Sequence, residues 1–160
     1  MIRKLHHNAY RCRDSEETRR FYQDFLGLPL AEAFEINQTK TGRNTSVLHS
    51  FYQLDDGSYL AFFEAPDMPF EFKSQHDFDL HIALEVGEEV LEPMLAKGRA
   101  NGIDTRGISE HGMLRSIYFR DPNGYVIELT AKTTEHDRMM DPMMNGARAK
   151  LDRWQAAKNR

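Results

Sequence analysis

Hydrophobic and polar residues alternate with a period of two along eight short stretches, and two other stretches carry apolar residues at helical spacing. In the first half of the chain, the alternation predicts strands over residues 5–12, 28–36, 47–54 and 59–65. A helix is predicted between Asp14, which suits an N-cap, and Gly27, which suits the position just after a helix. The predicted order of elements is therefore β-α-β-β-β.

The second half of the chain repeats this order. Strands are predicted over 80–86, 103–108, 113–120 and 125–131, and a helix over 88–101. Such repetition predicts an α+β fold made of two tandem βαβββ modules. Within a single domain over 1–131, the predicted parts are module one at 4–66, a linker at 67–78 and module two at 79–131. A C-terminal extension with a helix follows at 132–160.

The last two strands of module two flank a turn with strong sequence signals. Asp121-Pro122-Asn123-Gly124 suits a type I turn, because Pro pre-sets φ at its second position and Gly is favoured at its fourth. In the following strand, Glu128 shares a face with Val126 and Thr130. A strand carboxylate is rarely buried without a partner, so Glu128 is a candidate for chemistry.

Composition and charge exclude several classes of function. The 160 residues have a formal net charge of −4, which gives no basic surface for nucleic acid or for an anionic membrane. No apolar run is long enough to cross a bilayer, and the first residues have no signal-peptide pattern. Cys12 is the single cysteine, so no disulfide can form within the chain, and we expect a cytoplasmic location.

Each half of the chain begins with a histidine and ends with a glutamate. His7 and Glu64 are at equivalent places to His81 and Glu128, with His6 as a rival to His7. If the two modules pair about a pseudo-twofold axis, these four side chains converge. Imidazole nitrogen and carboxylate oxygen suit one divalent transition metal: Fe, Ni, Zn, Mn or Co.

Three segments together resemble one known superfamily. They are LHHNAYRCRDSEETRRFYQDFLGL near the start, DLHIALEV in the middle and SIYFRDPNGYVIEL near the end, within residues 4–131. The chain resembles the vicinal oxygen chelate superfamily, which includes glyoxalase I, extradiol dioxygenases and bleomycin resistance proteins. The resemblance implies a curved, partly open barrel around a metal held by His7, Glu64, His81 and Glu128. It also implies a small-molecule substrate and a homodimer.

The same resemblance implies two different reactions. Glu64 has the place of the fourth ligand of glyoxalase I, where a metal-bound glutamate moves a proton next to a carbonyl, and Arg11 matches an arginine that binds substrate there. This favours a lyase or isomerase in which Glu64 and Glu128 are catalytic. Tyr118 and His111 instead match residues of extradiol dioxygenases. The resemblance implies that Tyr118 contacts the substrate.

The number of metal ligands distinguishes these reactions. Ring cleavage needs open positions for a catecholate and O₂, which three protein ligands provide and four do not. A ligand role for Glu64 therefore favours proton transfer, and a Glu64 that turns away favours ring cleavage. The symmetry between Glu64 and Glu128 favours the first reaction. A metal-free binding protein of the bleomycin-resistance type is a third alternative, although such proteins typically lack the ligand residues.

Overall fold

The first sheet contains four strands from the first half of the chain. The computed structural model describes residues 1–72, 76 and 78–158. The strands of this sheet are β1 (Tyr10–Arg11), β2 (Leu30–Gln38), β3 (Asn44–Gln53) and β4 (Tyr59–Glu64). Their spatial order is β1-β4-β3-β2, in which β1 and β4 are parallel and the other pairs are antiparallel.

The helix of the first half begins at the predicted cap. Asp14 accepts the Glu17 N–H at 2.7 Å, and α1 (Ser15–Arg19) continues as π-helical turns over Arg20–Phe25. Gly27 ends this segment at φ +88°, a conformation that costs glycine little. The Glu17 side chain pairs with Arg13 instead of closing a capping box.

The first predicted strand is shorter than its sequence pattern suggested. Continuous pairing is confined to β1, and only one isolated bridge, between His7 and Tyr59, extends it towards the N-terminus. Residues 1–7 are exposed, so little apolar burial stabilises a longer ladder there. By contrast, β2 and β3 extend beyond the predicted strands at 28–36 and 47–54, because the Thr39 N–H donates to the Arg43 carbonyl and closes a hairpin.

The second sheet repeats the first. Its strands are β5 (His81–Glu85), β6 (Thr105–Glu110), β7 (Leu114–Arg120) and β8 (Val126–Lys132). Their order is β5-β8-β7-β6, with β6 and β7 antiparallel, and α2 (Glu88–Ala100) follows β5. Pro93 lies within α2, which begins where the sequence predicts. These observations confirm the α+β class and the two βαβββ repeats.

The chain divides into two units. Unit 1 contains Met1–Leu80 with Arg120–Val126, and unit 2 contains His81–Phe119 with Ile127–Arg160. The domain boundaries derived from the sequence stay predictions. Residues 73–75 and 77 of the proposed linker, and 159–160 of the C-terminal extension, lie outside the described residues.

The core of unit 1 is built around Tyr22. Its ring lies 4.6 Å from that of Phe62, and its hydroxyl donates to Asp121 at 3.0 Å. Asp121 also accepts the N–H groups of Asn123 and Tyr125, which holds the turn that the sequence predicts. Burial raises the pKa of the Asp121 carboxyl, although these hydrogen bonds oppose the shift.

Two further helices follow β8 in unit 2. They are α3 (His136–Met140) and α4 (Ala147–Lys158), and the Ala147 N–H donates to the Asn145 side chain at 2.8 Å. Leu151 and Trp154 of α4 are exposed. None of the helices in the described part of the chain is long and apolar enough to span a bilayer.

Candidate functional site

Glu128 lies at the centre of the polar side chains of unit 2. It belongs to β8 and is 7% exposed, between strands that carry His81 and Tyr118. Its Oε2 lies 2.6 Å from His81 Nε2, and its Oε1 accepts the Tyr118 hydroxyl at 3.3 Å. The buried carboxylate thus has the partners that its position in the strand requires.

A histidine extends this arrangement at its other end. His111 Nε2 lies 2.8 Å from the Tyr118 hydroxyl, so the four side chains His111, Tyr118, Glu128 and His81 form one hydrogen-bonded chain. Burial raises the pKa of Tyr118, and the nearby Glu128 charge adds to this. Tyr118 is therefore a neutral hydroxyl at neutral pH, held between an imidazole and a carboxylate.

The pair of His81 and Glu128 fits a metal ion. Imidazole nitrogen and carboxylate oxygen bind transition metals at about 2.0–2.2 Å, so adjacent ligand atoms at right angles are about 3 Å apart. The observed 2.6 Å between His81 Nε2 and Glu128 Oε2 differs from this by a few tenths of an ångström. In unit 2, these two atoms are thus placed to act as neighbouring ligands.

In unit 1, His7 lies on one particular face of the sheet. It pairs in parallel with Tyr59, so the two side chains share a face with Ala61 and Phe63. The His7 ring lies 5.4 Å from Phe51, and its Nδ1 is 2.8 Å from Nδ1 of His6. The His6 ring instead lies beside Tyr59, at 5.7 Å.

The same face carries further aromatic side chains, of which sequence reasoning missed Phe34 and His49. We call this the aromatic face of the first sheet, and its members are His7, Phe34, His49, Phe51 and Phe63. His49 is 6% exposed, stacks on Phe63 at 3.8 Å and has its Nδ1 2.9 Å from the Phe62 carbonyl. The signal was present: His49 and Phe51 alternate in a strand that pairs with β4.

Burial lowers the pKa of His49, so its imidazole is neutral at neutral pH. Because the Phe62 carbonyl can only accept, Nδ1 carries the proton and Nε2 is left as the acceptor. His49 is thus a buried neutral base whose ring centroid lies 6.2 Å from that of His7.

Glu64 lies elsewhere in unit 1. Its side chain shares a face of β4 with Leu60 and Phe62, which are buried on the side that the helical segment covers. Its Oε2 accepts the backbone N–H of Ser15, the first residue of α1, at 2.7 Å. A carboxylate at a helix N-terminus accepts a hydrogen bond from an N–H that has no partner within the helix, and its charge interacts favourably with the helix dipole. The structure does not bring Glu64 to the face that carries His7.

Arg11 holds the loop that follows β4. Its Nη2 donates to the carbonyls of Ala65 and Met68, and its guanidinium lies over the Phe70 ring at 5.1 Å. Together with Glu64, these residues line a cavity of about 190 Å³ in unit 1. The hydrogen bonds of Arg11 are with backbone carbonyls, whereas its buried Nε has no hydrogen-bond partner among the described residues.

The four predicted metal ligands are distributed two to each unit. Among the described residues, no group of three or more His, Cys, Asp or Glu side chains is placed together to hold a metal ion. His81 and Glu128 are brought together, with Tyr118 and His111 beside them. The complete ligand set stays a prediction.

Comparisons with solved structures agree with this fold. A glyoxalase/dioxygenase from Nostoc punctiforme has a TM-score of 0.61 and 24% identity, covering 82% of this chain and 92% of that chain. A mutant of the fosfomycin resistance protein FosX from Listeria monocytogenes, complexed with Mn(II) and 1S,2S-dihydroxypropylphosphonic acid, has a TM-score of 0.64 and 22% identity, covering 86% and 98%. FosX from Mesorhizobium loti has a TM-score of 0.58 and 21% identity, covering 86% and 98%. At these identities the similarity shows the fold alone.

Comparison with family models identifies the chain more directly. No curated protein matches it. The model of the Glyoxalase/Bleomycin resistance protein/Dioxygenase superfamily, however, matches residues 4–129, which include both repeats. This confirms the resemblance seen in the sequence motifs, and the chain belongs to the Glyoxalase/Bleomycin resistance protein/Dioxygenase superfamily.

Proposed function

We propose that this protein is a metal-dependent dioxygenase of the extradiol type, which opens the ring of a small catecholic substrate beside its two hydroxyl-bearing carbons. The single observation that carries the proposal is the hydrogen bond between Glu64 and the Ser15 N–H. If Glu64 stays engaged with the start of α1, the metal ligands that we propose are His7, His81 and Glu128. Three ligands leave room for two substrate oxygens and for O₂.

The metal would supply the redox chemistry. Fe(II) held by His7, His81 and Glu128 would allow O₂, which reacts slowly with organic molecules, to attack the ring. Both oxygen atoms enter the product, so the reaction needs no further reductant. The Listeria FosX relative, whose structure contains Mn(II), agrees with a divalent metal in this superfamily.

The residues of unit 2 would orient the substrate and move a proton. Tyr118 is neutral, so its hydroxyl would donate to a bound phenolate oxygen in place of Glu128, while His111 contacts the hydroxyl from the other side. His111 can then donate a proton through Tyr118 as charge develops on the ring. The pair thus combines an orienting group with an acid.

The residues of unit 1 would bind the ring and accept a proton. On the aromatic face, Phe34, Phe51 and Phe63 offer a flat apolar surface to a planar ligand. His49 Nε2 is suited to accept the proton of a catechol hydroxyl, because the ring is neutral and its Nδ1 is held by the Phe62 carbonyl. An aromatic substrate therefore suits this face better than a short aliphatic one.

Proton transfer of the glyoxalase type is the second candidate. Glu64 lines a cavity together with Arg11, whose guanidinium suits an acidic substrate. In this case Glu64 would leave Ser15 to act as ligand and base. This reaction requires no O₂.

One experiment distinguishes the two reactions. The protein is loaded anaerobically with Fe(II) and mixed with a catechol, and O₂ uptake is followed together with the ring-opened product. A parallel sample loaded with Ni(II) or Zn(II) is tested for isomerisation of a hemithioacetal. We expect one O₂ consumed per catechol under Fe(II). Isomerisation without catechol cleavage would reject the dioxygenase proposal in favour of the second candidate.

A further inference from the structure

Thr133 lies between the hairpin that carries His111 and the helix α3 of the C-terminal extension. The hairpin joins β6 to β7 and has a tight tip, in which the His111 N–H donates to the Leu114 carbonyl at 2.8 Å. Gly112, next to His111, has φ +75°. These contacts set the turn but leave the carbonyls of Gly112 and Met113 to be satisfied from outside.

Thr133 satisfies both of these carbonyls. Its hydroxyl donates to the Gly112 carbonyl at 2.8 Å, and its backbone N–H donates to the Met113 carbonyl at 3.0 Å. The same hydroxyl accepts the Glu135 N–H at 3.2 Å, and the Thr133 carbonyl accepts the His136 N–H at 3.1 Å. One residue thus connects the tip of the hairpin to the first turn of α3.

A side chain of α3 also packs against the tip. A Cβ built on Gly112 would lie 3.8 Å from Met139 Cε and 3.9 Å from Met139 Sδ, which is ordinary van der Waals contact. Met139 therefore covers the residue that follows His111. The hydrogen bonds of Thr133 hold the hairpin tip, and the Met139 thioether lies beside it.

We propose that Thr133 is a positioning residue for His111: it fixes the hairpin tip so that the His111 imidazole stays within hydrogen-bond distance of Tyr118. The effect on catalysis rests on the proposed function, whereas the effect of Thr133 on the contact between His111 and Tyr118 does not. His111 is exposed and lies at a tip of only a few residues. Without outside contacts, such a tip samples several conformations. The C-terminal extension would then contribute to catalysis through the position of His111.

The test uses two substitutions at one position and a neighbouring control. Thr133→Val keeps the shape and the backbone N–H but removes both hydrogen bonds of the hydroxyl, whereas Thr133→Ser keeps the hydroxyl. Thr134→Val makes the same change at the exposed threonine next in the chain. The first measurement, on the full chain without metal, is the NMR cross-relaxation between the His111 and Tyr118 rings, with amide exchange at His111.

We expect Thr133→Val to weaken the cross-relaxation and to speed exchange about three- to tenfold, as expected for one net hydrogen bond. Thr133→Ser should restore both, and Thr134→Val should change neither. An unchanged ring contact in Thr133→Val would overturn the proposal, whatever the activity of the protein.

The second measurement is kinetic and uses the Fe(II)-loaded protein with a catechol. Thr133→Val should lower kcat about three- to tenfold with KM within twofold, and should cause no further loss in a His111→Ala background. An equal loss in that background would indicate general destabilisation and overturn the proposal. If the wild-type protein does not cleave catechol, the proposed function fails, and the ring-contact measurement alone decides whether Thr133 positions His111.

Discussion

Replacing Glu64 separates a structural carboxylate from a metal ligand. The side chain accepts the Ser15 N–H at 2.7 Å at the start of α1. Glu64→Gln keeps an acceptor oxygen and loses only the charge, so its cost should be the charge–dipole contribution of about 0.3–1 kcal/mol. Glu64→Ala also removes a charge-assisted hydrogen bond, which should raise the cost to about 1.5–3 kcal/mol.

Fe(II) affinity should change less than the free energy of unfolding when Glu64 is replaced. Loss of a group that merely supports a metal ligand costs about 10–100-fold in metal affinity, so loss of a ligand should exceed this. We expect Fe(II) affinity and the kcat of ring cleavage to stay within about threefold of wild type in Glu64→Gln, which corresponds to less than about 1 kcal/mol. Glu128→Gln, the matched change at the other glutamate, should lose the metal.

The assays are urea unfolding for stability, competition with a chelator for Fe(II) affinity, and O₂ uptake for activity. Equal losses of Fe(II) affinity in Glu64→Gln and Glu128→Gln would refute our reasoning and make Glu64 a fourth ligand. Unchanged stability in Glu64→Ala would show that the contact with Ser15 contributes nothing.

Three further predictions concern other parts of the structure. Gly98→Ala should lower the free energy of unfolding, measured with urea, by about 1–3 kcal/mol, because the new Cβ would lie 2.6 Å from Phe119 Cε1. Alanine has the higher helix propensity, so a gain in stability would contradict this close packing. Asp121→Asn should lower the free energy of unfolding more near pH 4 than at pH 7. The pKa of Asp121 is raised in the folded protein, so its stabilising contribution is full below the unfolded pKa and is lost as pH rises through the folded pKa. A loss of stability that is independent of pH between 3.5 and 7 would argue against this. Tyr118→Phe should lower the kcat of ring cleavage about 100-fold with little change in Fe(II) affinity, and full activity would exclude Tyr118 from proton transfer.

Alternation within strands predicted much of the fold and part of the site. The position of Glu128 follows from the period of two and from the turn at Asp121, both of which are local. The period of two in β4 likewise puts Glu64 on the face with Phe62, where it is found. The assignment of Glu64 as a metal ligand used a further assumption, that Glu64 and Glu128 are equivalent because they have equivalent positions in the two repeats. Equivalent positions in a repeat do not ensure equivalent environments.

The role of His49 shows where sequence reasoning stops. Alternation within β3 puts His49 on one face with Phe51, but its other partners come from β4 and β2. Its neutral state arises from burial and from the hydrogen bond to the Phe62 carbonyl, which require the sheet to be assembled. The resemblance to extradiol dioxygenases, by contrast, implied roles for Tyr118 and His111, but the 2.8 Å contact between them depends on the hairpin tip.

The sequence by itself determined the two βαβββ repeats, the turn at Asp121, the helix cap at Asp14 and the membership of the superfamily. These features depend on residues near one another in the chain, or on motifs that a family model detects. Only the tertiary structure decided what each carboxylate contacts: Glu128 lies with His81 and Tyr118, whereas Glu64 lies with Ser15. The physical reason is that the energy of a buried charge depends on the dipoles and donors that distant segments bring to it, and these have no fixed spacing in the sequence.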